Sequence, residues 1–359
     1  MTQQLNTGET VTSHERIAAL LAGGPVDRVP CHPFIGDHAA RVLGIPVGEY
    51  HRSAEKMAAA QIAAWRTYGH DWVGVGPVLG IAEVLGSTVV YSDNAAPYFD
   101  VHALDHNADL ERLHLPDPGD PRIALYLDAV RIIKDEIGHL VPVALNVRSP
   151  FSTAANLRGT EQLLRDIVIN PSYAHQLLQF ALEATLRVIE AARPLGITFG
   201  TSDPVASGSL ISPRHYREFA QPYEKVLIET MNDAGRYPAI LHICGNTRKI
   251  WTAMADTGAG FLSLDDVVDL AAAKEAVGDR VVIVGNVKPT ESMYLGDPYA
   301  VRTDALECLR KAADSPKGFM LAVGCGMPIP APPANVHALM DFARQTREYM
   351  KGVGTDNEP

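Results

Sequence analysis

The chain has 359 residues, of which 47% are hydrophobic and 20% charged, and 42 acidic against 31 basic residues give a formal net charge of −11. This is a globular composition, and the acidic balance argues against a partner such as nucleic acid or an anionic membrane, both of which need a basic surface. No run of 18 apolar residues and no export signal is visible, so we expect a cytoplasmic protein without a membrane span. In such a protein the four cysteines are expected to be thiols or metal ligands rather than disulfides.

Eight short apolar runs alternate with longer helical patterns along the chain. Most runs are apolar on both faces, which is typical of parallel strands buried on both sides. We predict strands at Arg28–Phe34, Asp71–Pro77, Leu140–Phe151, Gly196–Pro204, Ala239–Gly245, Phe261–Asp266, Val281–Val287 and Phe319–Cys325. Eight strands alternating with helices predict an α/β protein with a (β/α)8 TIM barrel. A doubly wound open sheet is the alternative, although no glycine-rich turn follows the first run.

Helix signals lie between the predicted strands. Thr12–Glu15 reads as a capping box that opens an N-terminal helical extension, and Ser212-Pro213 reads as a helix start. Pro222 is expected to kink or break the helix that follows. A second long pattern is expected to begin with a cap at Thr160 and to be interrupted at Asn170-Pro171.

Residues 78–139 contain more than a simple strand–helix unit needs. Val89–Tyr91 and Pro97–Val101 are expected to form a small hairpin or lid, and the proline-rich cluster at 116–121 is expected to be a loop. We interpret this region as a small insertion on the barrel. Because no other segment reads as a linker, we expect one TIM-barrel domain over residues 1–359.

The C-terminal ends of barrel strands are where an active site is expected. His242 and Cys244 are two residues apart at the end of the fifth strand, so both side chains should point to one face. Cys325 lies between two glycines at the end of the eighth strand. One nitrogen and two sulfur ligands form a good Zn²⁺ set that leaves the fourth tetrahedral position open. The alternative is that these cysteines only pack, as buried cysteines often do.

The ligand charges indicate a chemistry for such a site. Two thiolates neutralise Zn²⁺, and a substrate thiol in the open position would bind as the thiolate because metal binding lowers its pKa. Sites that activate water more usually use histidine and carboxylate ligands. A bound thiolate acting as a nucleophile is therefore expected.

Several segments carry a resemblance to a known family. They are Pro25–Pro30, Asp203–Ser207, Leu241–Asn246, Gly285–Val287, Gly324–Gly326 and Pro328–Leu339. The chain resembles the uroporphyrinogen decarboxylase superfamily over about residues 12–350, and within it the zinc-dependent methylcobamide:coenzyme M methyltransferases. The resemblance implies a TIM barrel, zinc held by His242, Cys244 and Cys325, and methyl transfer to or from the cobalt of a corrinoid. The corrinoid would act as a co-substrate such as methylcobalamin or be carried on a partner corrinoid protein.

Other polar residues at predicted strand ends are candidates for the site. We predict Asp203 as a catalytic residue that orients substrate or a metal ligand, with a helix cap as the alternative. The predicted substrate-binding residues are Asn146, Asn246, Asp265 and Asn286. The alternative for the asparagines is a loop-shaping role, and for Asp265 a solvated loop carboxylate.

The predicted function is a zinc-dependent, corrinoid-linked methyltransferase acting on a small-molecule thiol. A donor-side enzyme, which moves methyl groups from methoxy compounds, methylamines or halomethanes onto a corrinoid, remains an alternative. A uroporphyrinogen decarboxylase is another, although the loop after the first strand has Arg41 as its only basic residue and no Arg-x-x-x-Arg pair. A corrinoid- or tetrapyrrole-binding protein without catalysis is the third.

Overall fold

The structure, a computed structural model, describes residues 9–76, 80–105, 109–117 and 119–353, with side chains to residue 346. The end of the predicted second strand at Pro77, the first residues of the predicted insertion at 78–79, and Pro118 of the proline-rich loop lie outside the described residues. The two ends of the chain, 1–8 and 354–359, also lie outside them. The interpretation of residues 1–359 as one domain therefore stays a prediction.

Eight parallel strands form a nearly closed barrel, and two more form an antiparallel hairpin. The strands are β1 (Cys31–His32), β2 (Val73–Val75), β3 (Thr88–Val90), β4 (Tyr98–Val101), β5 (Val143–Arg148), β6 (Thr198–Ser202), β7 (Ile240–Ile243), β8 (Phe261–Leu264), β9 (Val282–Val287) and β10 (Phe319–Val323). The order around the barrel is β1-β10-β9-β8-β7-β6-β5-β2, and β3 pairs with β4. Each of the eight predicted strands contains one barrel strand, so the predicted TIM barrel and hairpin are confirmed.

Among the described residues no strand ladder joins β1 to β2, and a buried carboxylate bridges this open seam. The backbone N–H of Asp71 donates to the carbonyl of Cys31 at 2.9 Å, and its side chain accepts from Arg16 Nη1 at 2.6 Å and from Arg28 Nη1 at 2.7 Å. Burial alone would raise the pKa of Asp71, but Arg28 and Arg16 outweigh it and hold that pKa well below its ordinary value. Because Arg16 belongs to the N-terminal helix, the cluster also holds that helix against the barrel.

Helices surround the barrel and connect its strands. They are α1 (Ser13–Leu21), α2 (His38–Leu43), α3 (Val47–Tyr50), α4 (Ala54–Tyr68), α5 (Gly80–Val84), α6 (Pro121–Ile137), α7 (Pro150–Arg158), α8 (Thr160–Ile169), α9 (Pro171–Ala192), α10 (Pro213–His215), α11 (Gln221–Ala234), α12 (Trp251–Ala255), α13 (Leu270–Val277), α14 (Pro298–Ala312) and α15 (Pro333–Val353). None of the helices in the described part of the chain combines the length and apolar character that crossing a bilayer needs.

The local helix signals have different outcomes. The capping box at Thr12–Glu15 is present, and Ser212 caps α10 by accepting from the His215 N–H. The break near Pro222 is confirmed as a π-helical turn that precedes α11. The cap predicted at Thr160 is wrong: Gly159 holds the cap position and Thr160 is the first residue of α8.

The insertion is smaller than the predicted range 78–139. Its last part is α6, which packs on α4, β2 and β5 and is the barrel's own helix between those two strands. The additional structure is α5, the β3–β4 hairpin and a 3-10 turn at Leu110–Arg112. The hairpin strands are short and half exposed, because they lie outside the barrel wall.

The barrel interior is filled at one end only. Side chains from the N-terminal ends of the strands, among them Trp72, Ile240, Phe261 and Val282, form a buried layer. A closed eight-stranded barrel is normally filled by such layers. Here the C-terminal half holds smaller and more polar residues, and that half contains the site described next.

Candidate metal centre

Three side chains from two strand ends converge at the C-terminal mouth of the barrel. His242 lies in β7, Cys244 follows that strand directly, and Cys325 follows β10. His242 Nε2 is 3.2 Å from Cys244 Sγ, which is 3.8 Å from Cys325 Sγ, and the three ligand atoms lie within 4.8 Å of one another. Two sulfurs bound to one tetrahedral zinc at about 2.3 Å lie roughly 3.8 Å apart, so this donor set, the triad, has the spacing that zinc requires.

His242 is oriented from behind by a residue of the neighbouring strand. Its Nδ1 lies 2.9 Å from Ser263 Oγ, and the two residues are register partners between β7 and β8. When Nε2 acts as a metal ligand, Nδ1 carries the proton and donates to this hydroxyl. Ser263 is fully buried, so its hydrogen bond holds the ring in this orientation.

The turn that follows Cys244 is held by a carboxylate. The backbone N–H of Gly245 donates to Asp265 Oδ2 at 2.7 Å, and Gly245 adopts a left-handed conformation with φ of 75°. A Cβ at this position would lie 2.7 Å from Ser207 Oγ, so glycine allows a close approach of two loops. The sulfur of Cys244 is thereby held over the barrel mouth.

A hydrogen bond couples the two cysteines of the triad. A hydrogen bond from the Cys244 thiol lowers the pKa of Cys325 to about 4, and His242 acts in the same direction. The same hydrogen bond, together with burial, raises the pKa of Cys244. One thiolate is thus present at neutral pH, and a metal ion would replace the second proton.

A cavity of about 340 Å³ opens beside the triad, and we call it the mouth cavity. Its walls include the triad, His32, His70, Trp72, Asn146 and Arg148. Burial lowers the pKa of His32 to about 3 and that of His70 to about 4, so both imidazoles are neutral at neutral pH. Among the described wall residues, Arg148 is therefore the one with a permanent positive charge.

Asn146 has space in the barrel because two glycines face it. Its side chain lies between Gly74 of β2 and Gly200 of β6, and a Cβ at either glycine would overlap its amide group. The amide lines the mouth cavity and makes no hydrogen bond to another residue in the described part of the chain. The predicted substrate-facing position of Asn146 is thus available for a ligand.

Asp203 does not line the cavity. Its side chain is fully buried behind β7, where it accepts a hydrogen bond from Ser152, and its backbone N–H donates to the carbonyl of His242 at 2.9 Å. Its second oxygen faces Glu224. Burial and Asp203 raise the pKa of Glu224 well above its ordinary value, so a proton on Glu224 satisfies both buried oxygens. This placement argues against direct substrate contact and makes Asp203 a residue that positions His242.

The other predicted substrate-binding residues form hydrogen bonds that stabilise the loops at the barrel mouth. Asn246 is exposed and accepts from the Arg248 N–H at 3.2 Å, which is the loop-shaping role. Asn286 donates to the carbonyls of Asp265 and Val268, at 2.9 and 2.8 Å, from a buried position. Asp265, Asn246 and Asn286 are absent from the described walls of the mouth cavity.

Sequence reasoning missed Ser263 and the two buried histidines of the cavity. Ser263 is a lone hydroxyl in the apolar run Phe261–Leu264, and a polar residue inside a buried strand is the signal that marks it. His32 lies at the end of an apolar run in the same way, whereas nothing local marks His70 as a wall residue.

Family comparison gives the chain its place among known proteins. Residues 12–346 match the family model described as uroporphyrinogen decarboxylase (URO-D). The chain belongs to the uroporphyrinogen decarboxylase family. This family match covers the barrel and the triad together.

Relatives of the URO-D family show which activities occur on this fold. The methylcobamide:CoM methyltransferase MtbA of Methanosarcina acetivorans is 29% identical over 93% of this chain and 98% of its own length. A uroporphyrinogen decarboxylase of Alkalilimnicola ehrlichii is 28% identical over 94% of this chain and 95% of its own. A solved methyltransferase from Methanosarcina mazei superposes with a TM-score of 0.84 at 28% identity, covering 95% of this chain and 99% of that one. The predicted resemblance to corrinoid-linked methyltransferases is confirmed.

Proposed function

We propose that this protein is a cytoplasmic methyltransferase that binds Zn²⁺ at the triad and moves a methyl group between a corrinoid and a thiol. The observation that carries the proposal is the convergence of His242, Cys244 and Cys325 at the mouth of a barrel whose full-length relatives include methylcobamide:CoM methyltransferases. The donor set is one that zinc prefers, and three protein ligands leave a position for substrate.

The residues around the triad have separate tasks in this proposal. Zinc, when bound, keeps a substrate thiol deprotonated at neutral pH. Ser263 orients His242, and Asp265 holds the turn after Cys244. In the direction of thiol methylation, the thiolate would attack the methyl carbon of a methylcorrinoid. The sulfur–carbon bond would form while the electron pair of the carbon–cobalt bond stays on cobalt.

The size of the mouth cavity bears on how the corrinoid arrives. A volume of about 340 Å³ suits a small thiol, whereas a corrin macrocycle with its side chains is far larger. The corrinoid is therefore expected to approach the mouth from outside, free in solution or bound to a partner corrinoid protein. The charge of the cavity walls disfavours a decarboxylase. A substrate with many carboxylates would need several cations, and Arg148 is the one permanent cation of the described walls.

Metal analysis of protein purified without a histidine tag tests the site. We expect about one zinc per chain in the wild type, and loss of most of it in Cys244→Ala and Cys325→Ala. Cys308→Ala is the matched control, because Cys308 is buried away from the triad, where its thiol lies 3.6 Å from Asn286 Oδ1. Full zinc content in both triad variants would contradict the proposal.

A second experiment separates the two directions of transfer. If the thiol is the methyl acceptor, thiol binding to the zinc-loaded protein should release a proton near neutral pH, and methylcobalamin should then methylate it. A donor-side enzyme would instead leave the zinc environment unchanged on adding thiol and would demethylate a methoxy or methylamino compound onto cob(I)alamin.

A further inference from the structure

A second cavity of about 290 Å³ adjoins the mouth cavity on the side away from the triad. It lies beneath the β3–β4 hairpin, and its walls include Asp37, Tyr50, His51, Tyr91, Ala96 and Tyr126. We call it the hairpin chamber. It shares Gly36, Gly74, Asn146 and Arg148 with the mouth cavity, so the two volumes meet at these four residues.

The roof of the chamber is held in place by contacts to the barrel helices. The carbonyl of Asp93 at the hairpin turn accepts from the Val47 N–H at 3.0 Å. Arg122 of α6 donates to the Tyr91 hydroxyl and lies over its ring at 4.7 Å from the centroid. Arg122 also pairs with Glu83 of α5 at 2.8 Å. The chamber is therefore preformed, which lowers the cost of binding a ligand.

The junction of the two cavities offers unused hydrogen-bonding groups. Arg148 donates to Ser202 Oγ at 2.7 Å, and no carboxylate of the described residues lies within ion-pair distance of it. Asn146 has the free amide described above. The thiols of Cys244 and Cys325 and the buried carboxylate of Asp203 act on this guanidinium through their charge, without a direct contact among the described residues. An anionic group of a ligand can therefore pair with it directly, since such pairs are charge-assisted and directional.

The chamber walls away from the junction differ from it in charge and in polarity. The carboxylate of Asp37 lies on this wall, 3.0 Å from His51 Nε2, so a ligand anion is disfavoured there and favoured at Arg148. The remaining surface is largely aromatic, from Tyr50, Tyr91 and Tyr126. A cavity of roughly 150 Å³ is enough to hold a benzene ring, and the chamber is larger than that.

We propose that the hairpin chamber is a second binding compartment for the substrate, which takes the apolar or aromatic tail of an acidic thiol. The sulfur lies at the triad, the acid group lies between the cavities on Arg148, and the tail lies under the hairpin. The assignment of the sulfur rests on the proposed function. The assignment of the acid and tail rests on the junction and the chamber alone.

Direct binding tests the chamber without any reaction. In calorimetric titration of the purified protein, 3-phenylpropanoate should bind about tenfold or more tightly than propanoate, because a phenyl ring leaves water. Ala96→Trp and Val75→Phe each place an aromatic ring at the chamber wall and should remove this preference. Ala95→Trp is the matched control, since Ala95 is an exposed neighbour in the same turn and is absent from the described chamber walls. Equal binding of the two acids, or an unchanged preference in both filled variants, would overturn the proposal.

A variant at Arg148 tests where the acid group of the ligand binds. Arg148→Gln should weaken 3-phenylpropanoate about tenfold while leaving 3-phenylpropanamide nearly unchanged, because only the acid uses the positive charge. Equal losses for acid and amide would show that Arg148 does not bind the anion.

Methyl transfer then connects the chamber to the triad. From methylcobalamin, 2-benzyl-3-mercaptopropanoate should have about tenfold higher kcat/KM than 3-mercaptopropanoate in the wild type and in Ala95→Trp, with the ratio near one in Ala96→Trp. If both thiols react without this preference, the chamber proposal fails and the proposed function stands. If neither thiol reacts but phenylpropanoate binding behaves as above, the proposed function fails and the chamber stands as a binding site.

Discussion

Replacing Ser263 by alanine removes the hydrogen bond that orients His242 and should weaken zinc binding. Ser263 Oγ lies 2.9 Å from His242 Nδ1 in a fully buried position. The variant leaves Nδ1 without its partner, and a buried polar group left unpaired costs about 1 to 3 kcal/mol. Loss of such a partner typically reduces metal affinity about 10- to 100-fold, or roughly 1.4 to 2.7 kcal/mol, which agrees with that range.

Competition with a chelator of known zinc affinity measures the effect. Ser263→Thr keeps the hydroxyl and should retain most of the affinity. Ser315→Ala controls for the loss of a buried hydroxyl in general, because Ser315 Oγ donates to the Ala312 carbonyl at 2.6 Å, outside the metal centre. The reasoning is refuted if Ser263→Ala binds zinc as tightly as the wild type, or if Ser315→Ala weakens it equally.

Three other changes test the buried groups. Asp71→Asn should lower the free energy of unfolding by about 3 to 5 kcal/mol in denaturant titrations, since it breaks a buried ion cluster. The pKa of Asp71 lies below its ordinary 3.8, so the stabilisation from its charge is complete above pH 3.8 and is lost as the pH falls further. The free energy of unfolding of Asp71→Asn should therefore depend less on pH in this acidic range than that of the wild type. Glu224→Gln should lower the free energy of unfolding by less than about 1 kcal/mol, because an amide also donates to Asp203. Glu224→Ala should lower it by about 1 to 3 kcal/mol. Equal losses in the two variants would mean that Glu224 is ionised. Gly74→Ala should displace the Asn146 amide and lower kcat/KM about tenfold or more with the fold retained by circular dichroism.

The barrel was predictable because its strands carry a strong local signal. A run such as Val281–Val287 is apolar on both faces, and burial between barrel core and helices requires that pattern. The spacing of His242 and Cys244 also predicted a shared face, since alternate residues of a strand point the same way. These features depend on a few neighbouring residues.

The surroundings of the triad were less predictable because they depend on distant parts of the chain. Asp203 stands at a strand end as an active-site residue should, but its side chain packs against Ser152 and Glu224 from two helices. Asn246 and Asn286 were likewise predicted at strand ends, and their amides serve loop geometry that sequence position does not reveal. The hairpin was predicted as a hairpin or lid, but the chamber beneath it needs walls from β2, α3 and α6 together.

The open seam between β1 and β2 has a consequence for what this barrel can enclose. In the described residues no ladder joins these strands, and residues from both sides of the gap, His32 and Phe34 on one and Trp72 and Gly74 on the other, line the mouth cavity. A fully laddered barrel of eight strands has an interior that side chains fill or that holds one small ligand. The buried carboxylate of Asp71, paired with Arg16 and Arg28, bridges the two edges where the ladder is missing. Because both edges of this seam line the mouth cavity, a shift of the Asp71 cluster would change the distance between the edges and with it the volume of the cavity.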